Sequence, residues 1–199
     1  NAINDFTHIA LINSIPTVMV VHQSVSAGTV REFVSLAKAK PRFLSFGSAG
    51  GGSTSRLMGE LFMLVTGAPL THVPYKGSGL AAIDLAAGQV QVMFDGLPSS
   101  LSSVKSGKLK ALAVLDSRRA GALPDVQTMA EAGFPGIEGA LWYGLSGPAG
   151  LPANVVSRIT SEVFRIVALS EIKDRFATMG AYAAPLASAE FARFIRAEN

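Results

Sequence analysis

The sequence contains no cysteine. Disulfide frameworks, thiolate metal sites and thiol catalysis are thereby excluded. Charge is also scarce: 16% of the 199 residues are Asp, Glu, Lys or Arg, against 49% hydrophobic residues. Such a chain can bury a substantial core and lacks the composition of a disordered segment. The formal net charge is only +3, and no basic run is longer than Arg118-Arg119. Nucleic-acid binding needs clustered basic charge, so no nucleic-acid partner is expected. No apolar stretch is long enough to span a bilayer, so the protein is not expected to be membrane-embedded. No secretory leader is visible either. The chain opens at Asn1 without a methionine and closes at Glu198-Asn199, inside what reads as a helix, so both ends are expected to be cuts.

What is present is a regular alternation of short β-branched runs and longer helical ones. Residues 17–22 (TVMVVH) read as a buried strand. Residues 29–40 read as a helix: Thr29-x-x-Glu32 is a capping box, Val30, Phe33, Val34 and Ala37 form one face, and Pro41 stops it. A strand over 43–47 follows, then a helix over 53–66 with Leu57, Met58, Leu61, Phe62 and Val65 on one side and Gly67 at its end. The pattern continues with strands over 70–74, 90–94 and 109–115 and helices over 78–87 and 98–106. This alternation predicts βαβ units and a mostly parallel sheet, an α/β lobe. Residues 140–146 give another strand. Three helices close the chain, over 153–169, 171–179 behind the cap Ser170, and 189–197 behind Ser188. That tail, with only a short strand over 181–184, is predicted to pack on strands from elsewhere, including residues 7–12.

In a parallel sheet, ligands bind beyond the carboxyl ends of the strands. Three loops leave such ends here, each before a helix: residues 47–55 (GSAGGGSTS), 74–79 (PYKGSG) and 95–100 (DGLPSS). The first is the most informative. Its glycines let backbone N–H groups approach a ligand closely. The helix start behind it offers unpaired donors and partial positive charge, and Ser48, Ser53, Thr54 and Ser55 add hydroxyls. One helix terminus contributes only about 0.3–1 kcal/mol, so several loops would have to cooperate. The loop reads equally well as an anion cradle or as a tight strand–helix turn capped by Ser53. A phosphate is disfavoured, because no lysine ends the loop and the dinucleotide spacing is absent. In the second loop, Lys76 and Tyr75 are either a positive charge and an aromatic wall or a solvated lysine beside a packed tyrosine. Asp95 either caps the helix after it or accepts hydrogen bonds from a ligand.

Catalytic signatures are missing. The histidines, His8, His22 and His72, lie in or beside predicted strands with no ligand spacing, and no HExxH or GxSxG motif occurs. No metal, cofactor or catalytic residue is expected. His72 reads as a satisfied strand residue. Glu60, Asp84 and Glu162 read as solvated helix faces.

A set of ordered motifs carries a family resemblance. They are Asn4-Asp5-Phe6-Thr7, Ser48-x-Gly50-x-Gly52-Ser53-Thr54, the run from His72 through Pro74-Tyr75-Lys76-Gly77 to Ser78, and the run from Gly88-Gln89 to Phe94-Asp95. Gly107 to Val114, Ala122 to Val126, Ala130 to Gly133 and Trp142 to Gly150 continue the series. Together they resemble the Bug (TctC-like) receptors of tripartite tricarboxylate transporters over essentially the whole chain. The resemblance implies a two-lobed type II periplasmic binding protein fold, with lobe 1 built from residues 1–22 and 138–199 and lobe 2 from 23–137. It implies a periplasmic receptor, not an enzyme, that passes a small organic carboxylate to a membrane permease. The guest could be a dicarboxylate or tricarboxylate, an acidic amino acid or an aromatic acid. Ligand-binding residues implied are Ser48, Gly50, Gly52, Ser53 and Thr54, with Tyr75, Lys76 and Asp95 nearby. Family members carry an earlier N-terminal stretch with a second glycine-rich loop, so lobe 1 is expected to be incomplete. The chain is accordingly expected to bind organic acids weakly or not at all, or to associate. Other readings are the effector-binding domain of a LysR-type regulator, a small α/β enzyme acting on a carboxylate ester through Ser53 or Ser78, and a structural fragment without activity.

Overall fold

Strand β1, Phe6–His22, is a single extended run of 17 residues. The sequence suggested two short strands, over 7–12 and 17–22. Asn13, Ser14 and Pro16 look like a break, yet the chain stays extended through them. Its ladder with β7 (Tyr182–Ala187) ends at Ser14↔Tyr182, and its ladder with β4 (Val92–Gly96) begins at Thr17↔Gly96. Pro16 lies between the two, where its missing N–H interrupts neither ladder. The computed structural model describes residues 3–198. They form two compact units, one of residues 15–141 and one of residues 3–14 with 142–198. The division falls at 14/15 and 141/142.

In the unit Ile15–Leu141 the strand order is β3-β2-β4-β1-β5, with β2 at Ser45–Ser48, β3 at Thr71–Pro74 and β5 at Leu109–Val114. β2 pairs parallel with both β3 and β4, whereas β1 runs antiparallel between β4 and β5. The inserted antiparallel strand is the exception in an otherwise parallel α/β sheet. β1 and β4 are covered on both faces, which is why they read as unbroken apolar runs. Met19, Val21, Val92 and Phe94 enter one core with Phe33 and Phe62, whereas Val18, Val20 and Met93 enter the other with Ala81 and Leu85.

Helix α1, Val30–Ala39, has the expected capping box at Thr29 and Glu32 and buries Val30, Phe33, Val34 and Ala37, as its spacing predicts. Helix α2, Thr54–Thr66, buries only part of the face that its large residues suggest: Phe62 enters the core and Met58 and Leu61 pack against it. Ser55, Gly59, Phe62 and Thr66 point inward, and Leu57 and Val65 are exposed. Small residues win the inner face because they let the helix lie close to the sheet. A Cβ on Gly59 would stand 2.7 Å from Cδ2 of Phe46. Helix α3 spans Ser78–Ala86. The helix expected over 98–106 is instead a single 3-10 turn, Leu97–Ser99, and a short α4, Leu101–Lys105, separated by Ser100 at φ −122°.

The other unit holds β6 (Ala140–Pro148) from Trp142 onward, β7, and helices α5 (Ala153–Val167), α6 (Ser170–Met179) and α7 (Ser188–Ala197). The tail does pack on the early strand: β7 pairs antiparallel with β1 through Ala10↔Ala187 and Leu11↔Leu186. Its small core gathers Leu11, Phe191 and Ile195, with Trp142 edge-on to Phe191 at 5.7 Å. Ser170 and Ser188 are not N-caps. Each is the first helical residue, and the Ser188 hydroxyl instead donates to the His8 carbonyl at 2.6 Å.

Candidate functional site

The carboxyl ends of β2, β3 and β4 share one sheet edge, since β2 runs parallel to both neighbours in the registers Ser48↔Pro74 and Gly47↔Met93. The strand order places β2 in the middle, so the glycine loop is flanked by the other two loops. This is the position at which open α/β sheets receive ligands.

The loop is held by its own hydroxyls. Ser48 is fully buried, and its Oγ accepts from the Gly50 amide at 3.2 Å and lies 2.7 Å from Nε2 of His72. The Ser53 hydroxyl donates to the Gly50 carbonyl at 2.7 Å and accepts from the Arg56 amide at 3.3 Å, capping α2. Ser55 is buried and accepts from the Ala49 amide at 2.9 Å. Gly50 sits at φ +122°, and a Cβ there would lie 3.2 Å from the Tyr75 carbonyl. Glycine is required at that point for both reasons. Gly52 has nothing within 4 Å of a hypothetical Cβ and is exposed.

With those groups committed, the amides of Gly51, Gly52, Thr54 and Ser55 make no hydrogen bond within the described residues. They lie at the amino end of a 13-residue helix, where backbone donors are unpaired and an anion is favoured. The side chains of Ser48 and Ser53 shape the cradle from behind. Thr54 is the first residue of α2 and is partly exposed.

Tyr75 turns toward α3, where its hydroxyl donates to Asp84 Oδ2 at 2.8 Å. Burial, and then the adjacent Asp84 carboxylate, push the phenol up to about 12. Asp84 is therefore a partner of the site's tyrosine and not merely part of a solvated helix face. Lys76 is exposed beside Gly77, the N-terminal flank of α3, which has no side-chain cap. Asp95 is buried and accepts from the Ser99 hydroxyl at 3.0 Å, so it braces the turn after β4 and makes no backbone cap.

Sequence reasoning missed His72 and Asp84 as parts of this assembly, whereas it included Ser55 among the loop hydroxyls. His72 is indeed a satisfied strand residue, stacked on Phe46 with ring centroids 4.7 Å apart, but the partner that satisfies it is the loop's own serine. Its ring pKa is lowered from 6.5, by burial first and then by Arg56, with Glu60 opposing. Serine and histidine at this distance resemble a nucleophile–base pair, yet Ser48 has no exposed surface for a substrate to reach. Ser53, the alternative nucleophile, is committed to its cap. Among the described residues, no group of three His, Asp or Glu side chains could hold a metal ion, and no helix is long and apolar enough to cross a membrane.

Comparison with known proteins identifies the family. A family model described as the tripartite tricarboxylate transporter family receptor matches residues 1–199. Protein BugT of Bordetella pertussis is 31% identical over 179 residues, covering 90% of this chain and 55% of its own. Among solved structures, an R. palustris protein with adipate superposes with a TM-score of 0.94 at 33% identity, covering all of this chain and 66% of the other. MatC from Rhodopseudomonas palustris with bound malate gives 0.90 at 30% identity, covering 98% and 67%. The chain thus spans about half the length of this curated relative and about two thirds of the solved ones. Sequence motifs, sheet topology and these matches converge: the chain belongs to the TctC family of tripartite tricarboxylate transporter receptors.

Proposed function

We propose that this protein is part of a periplasmic receptor that captures a small organic carboxylate and passes it to the permease of a tripartite transporter, without chemical turnover. The observation that carries the proposal is the row of uncommitted amides at Gly51, Gly52, Thr54 and Ser55, at the start of α2 and the carboxyl edge of the sheet. Neutral amides at a helix terminus suit a carboxylate, which is compact and accepts several N–H donors at once. Ser48, Gly50 and Ser53 set the loop, Thr54 can add its hydroxyl, and Lys76 supplies a positive charge on the neighbouring loop. Tyr75 and Asp95 support the flanking turns. Relatives solved with adipate and with malate point to dicarboxylates as the first guests to try.

The test is an NMR titration of the 15N-labelled chain with adipate and with malate, which detects weak binding. The expected result is a saturable shift of the amides of residues 51–55. No shift in that segment at tens of millimolar ligand, on the order of the weakest useful affinity, would overturn the proposal.

A further inference from the structure

The Ser48 hydroxyl is completely buried, and its described partners are the Gly50 amide and His72 Nε2. The amide is a donor, so it occupies a lone pair of the serine oxygen. The hydroxyl proton then has only Nε2 to go to, and Nε2 must be an unprotonated acceptor. The chain of bonds continues outward. Gly50, held by Ser48, offers its carbonyl to both the amide and the hydroxyl of Ser53. Ser53 in turn caps α2. One hydrogen-bond relay thus links the ring of a β3 histidine to the segment whose amides are uncommitted.

We propose that His72 is the positioning residue of the anion loop: its neutral ring locks Ser48 and Gly50 in the cradle conformation, and protonation at Nε2 releases them. A protonated ring would present an N–H to an oxygen already accepting from Gly50. The serine proton would then have no acceptor in a buried place, a situation proteins avoid. The ring cannot swing away easily, because it is stacked on Phe46. The charged groups facing it are Arg56 and Glu60 of α2, while β2 contributes only the uncharged Ser48 and Phe46. Arg56 also reaches the Gly51 carbonyl at 3.4 Å, so the cation that opposes ring protonation is itself fastened to the loop. The consequence for affinity rests on the carboxylate-receptor reading, but the coupling itself can be tested without ligand.

In ligand-free protein, the hydrogen-exchange protection of the Gly50 amide and the ring resonances of His72 are followed by NMR between about pH 8 and pH 5. Protection of Gly50 is expected to fall in step with protonation of His72. In His72→Gln, whose side-chain oxygen can accept the serine proton at any pH, the protection is expected to stay constant. Gly50 protection that ignores the His72 titration overturns the proposal, and so does an identical loss in the glutamine variant. If that variant does not fold, the wild-type titration decides alone. A second arm measures adipate and malate affinity, expected to weaken on the order of tenfold across the same range in wild type only. Coupling without binding of either acid leaves the relay standing and removes the receptor reading. Binding without coupling does the reverse.

Discussion

Gly59 of α2 lies against the ring of Phe46 in β2 so closely that a methyl group would stand 2.7 Å from Cδ2 and 2.9 Å from Cζ. Phe46 also carries the stack with His72 and meets Phe94 edge-on at 6.3 Å. The position of α2, and hence of the amides at its start, depends on this close approach. Gly59→Ala gains about 1 kcal/mol of helix propensity but forces overpacking that costs about 1–3 kcal/mol. A net loss of stability in urea denaturation is expected. A variant as stable as wild type would show that the ring yields freely.

Two glycines of the loop are expected to behave differently. Gly50→Ala places a side chain at φ +122° and against the Tyr75 carbonyl, a strain of about 1–3 kcal/mol. Gly52→Ala meets open space and should stay within about 0.5 kcal/mol of wild type. Paired denaturation curves check this, and equal losses would contradict the geometry.

Tyr75 should ionise late, since its phenol is pushed up to about 12 by burial and by Asp84. The unfolded phenol ionises near 10, so the folded state holds the proton longer. Its contribution to stability is full below about pH 10 and is lost as pH rises toward 12. Tyrosinate absorbance should show a late-titrating component that disappears in Tyr75→Phe. Loss of its hydrogen bond to Asp84 should also cost about 0.5–1.5 kcal/mol.

For His72 the sign is opposite. Its folded pKa lies below 6.5, so the unfolded chain takes up a proton first as pH falls. The neutral ring's contribution is fully present above about 6.5 and is lost as pH drops through the folded value. Urea midpoints should therefore decline on acidification, and His72→Gln should remove part of that slope. An unchanged slope in the variant would assign the acid sensitivity to other groups.

Much of this was legible in order along the chain. The capping box at Thr29 and Glu32 located α1 because a cap is a local bond between residues three apart. The glycine–serine loop announced a strand-to-helix turn for the same reason. The face of α2 was legible only in part: Phe62, Met58 and Leu61 meet the core, but Leu57 and Val65 are exposed while the small Ser55 and Gly59 face inward. Only the neighbouring Phe46 makes Gly59 an inward residue. The continuity of β1 was hidden because Pro16 breaks a strand only if a ladder bond is needed there, and none is.

The sequence by itself determined the repeating pattern of strand and helix, the burial of its apolar strands, the family, and the glycine–serine turn after β2. Those properties follow from local bonding, periodicity and ordered motifs. Tertiary structure alone decided that β1 runs antiparallel within the sheet and that β2 stands between β3 and β4. It also decided that the loop serines shape the cradle while the backbone amides remain open. These are matters of which distant residues meet: Ser48 needs His72 across a parallel ladder, and Tyr75 needs Asp84 across a helix turn. Pairing of that kind is written in register and packing, which no single stretch of the chain contains.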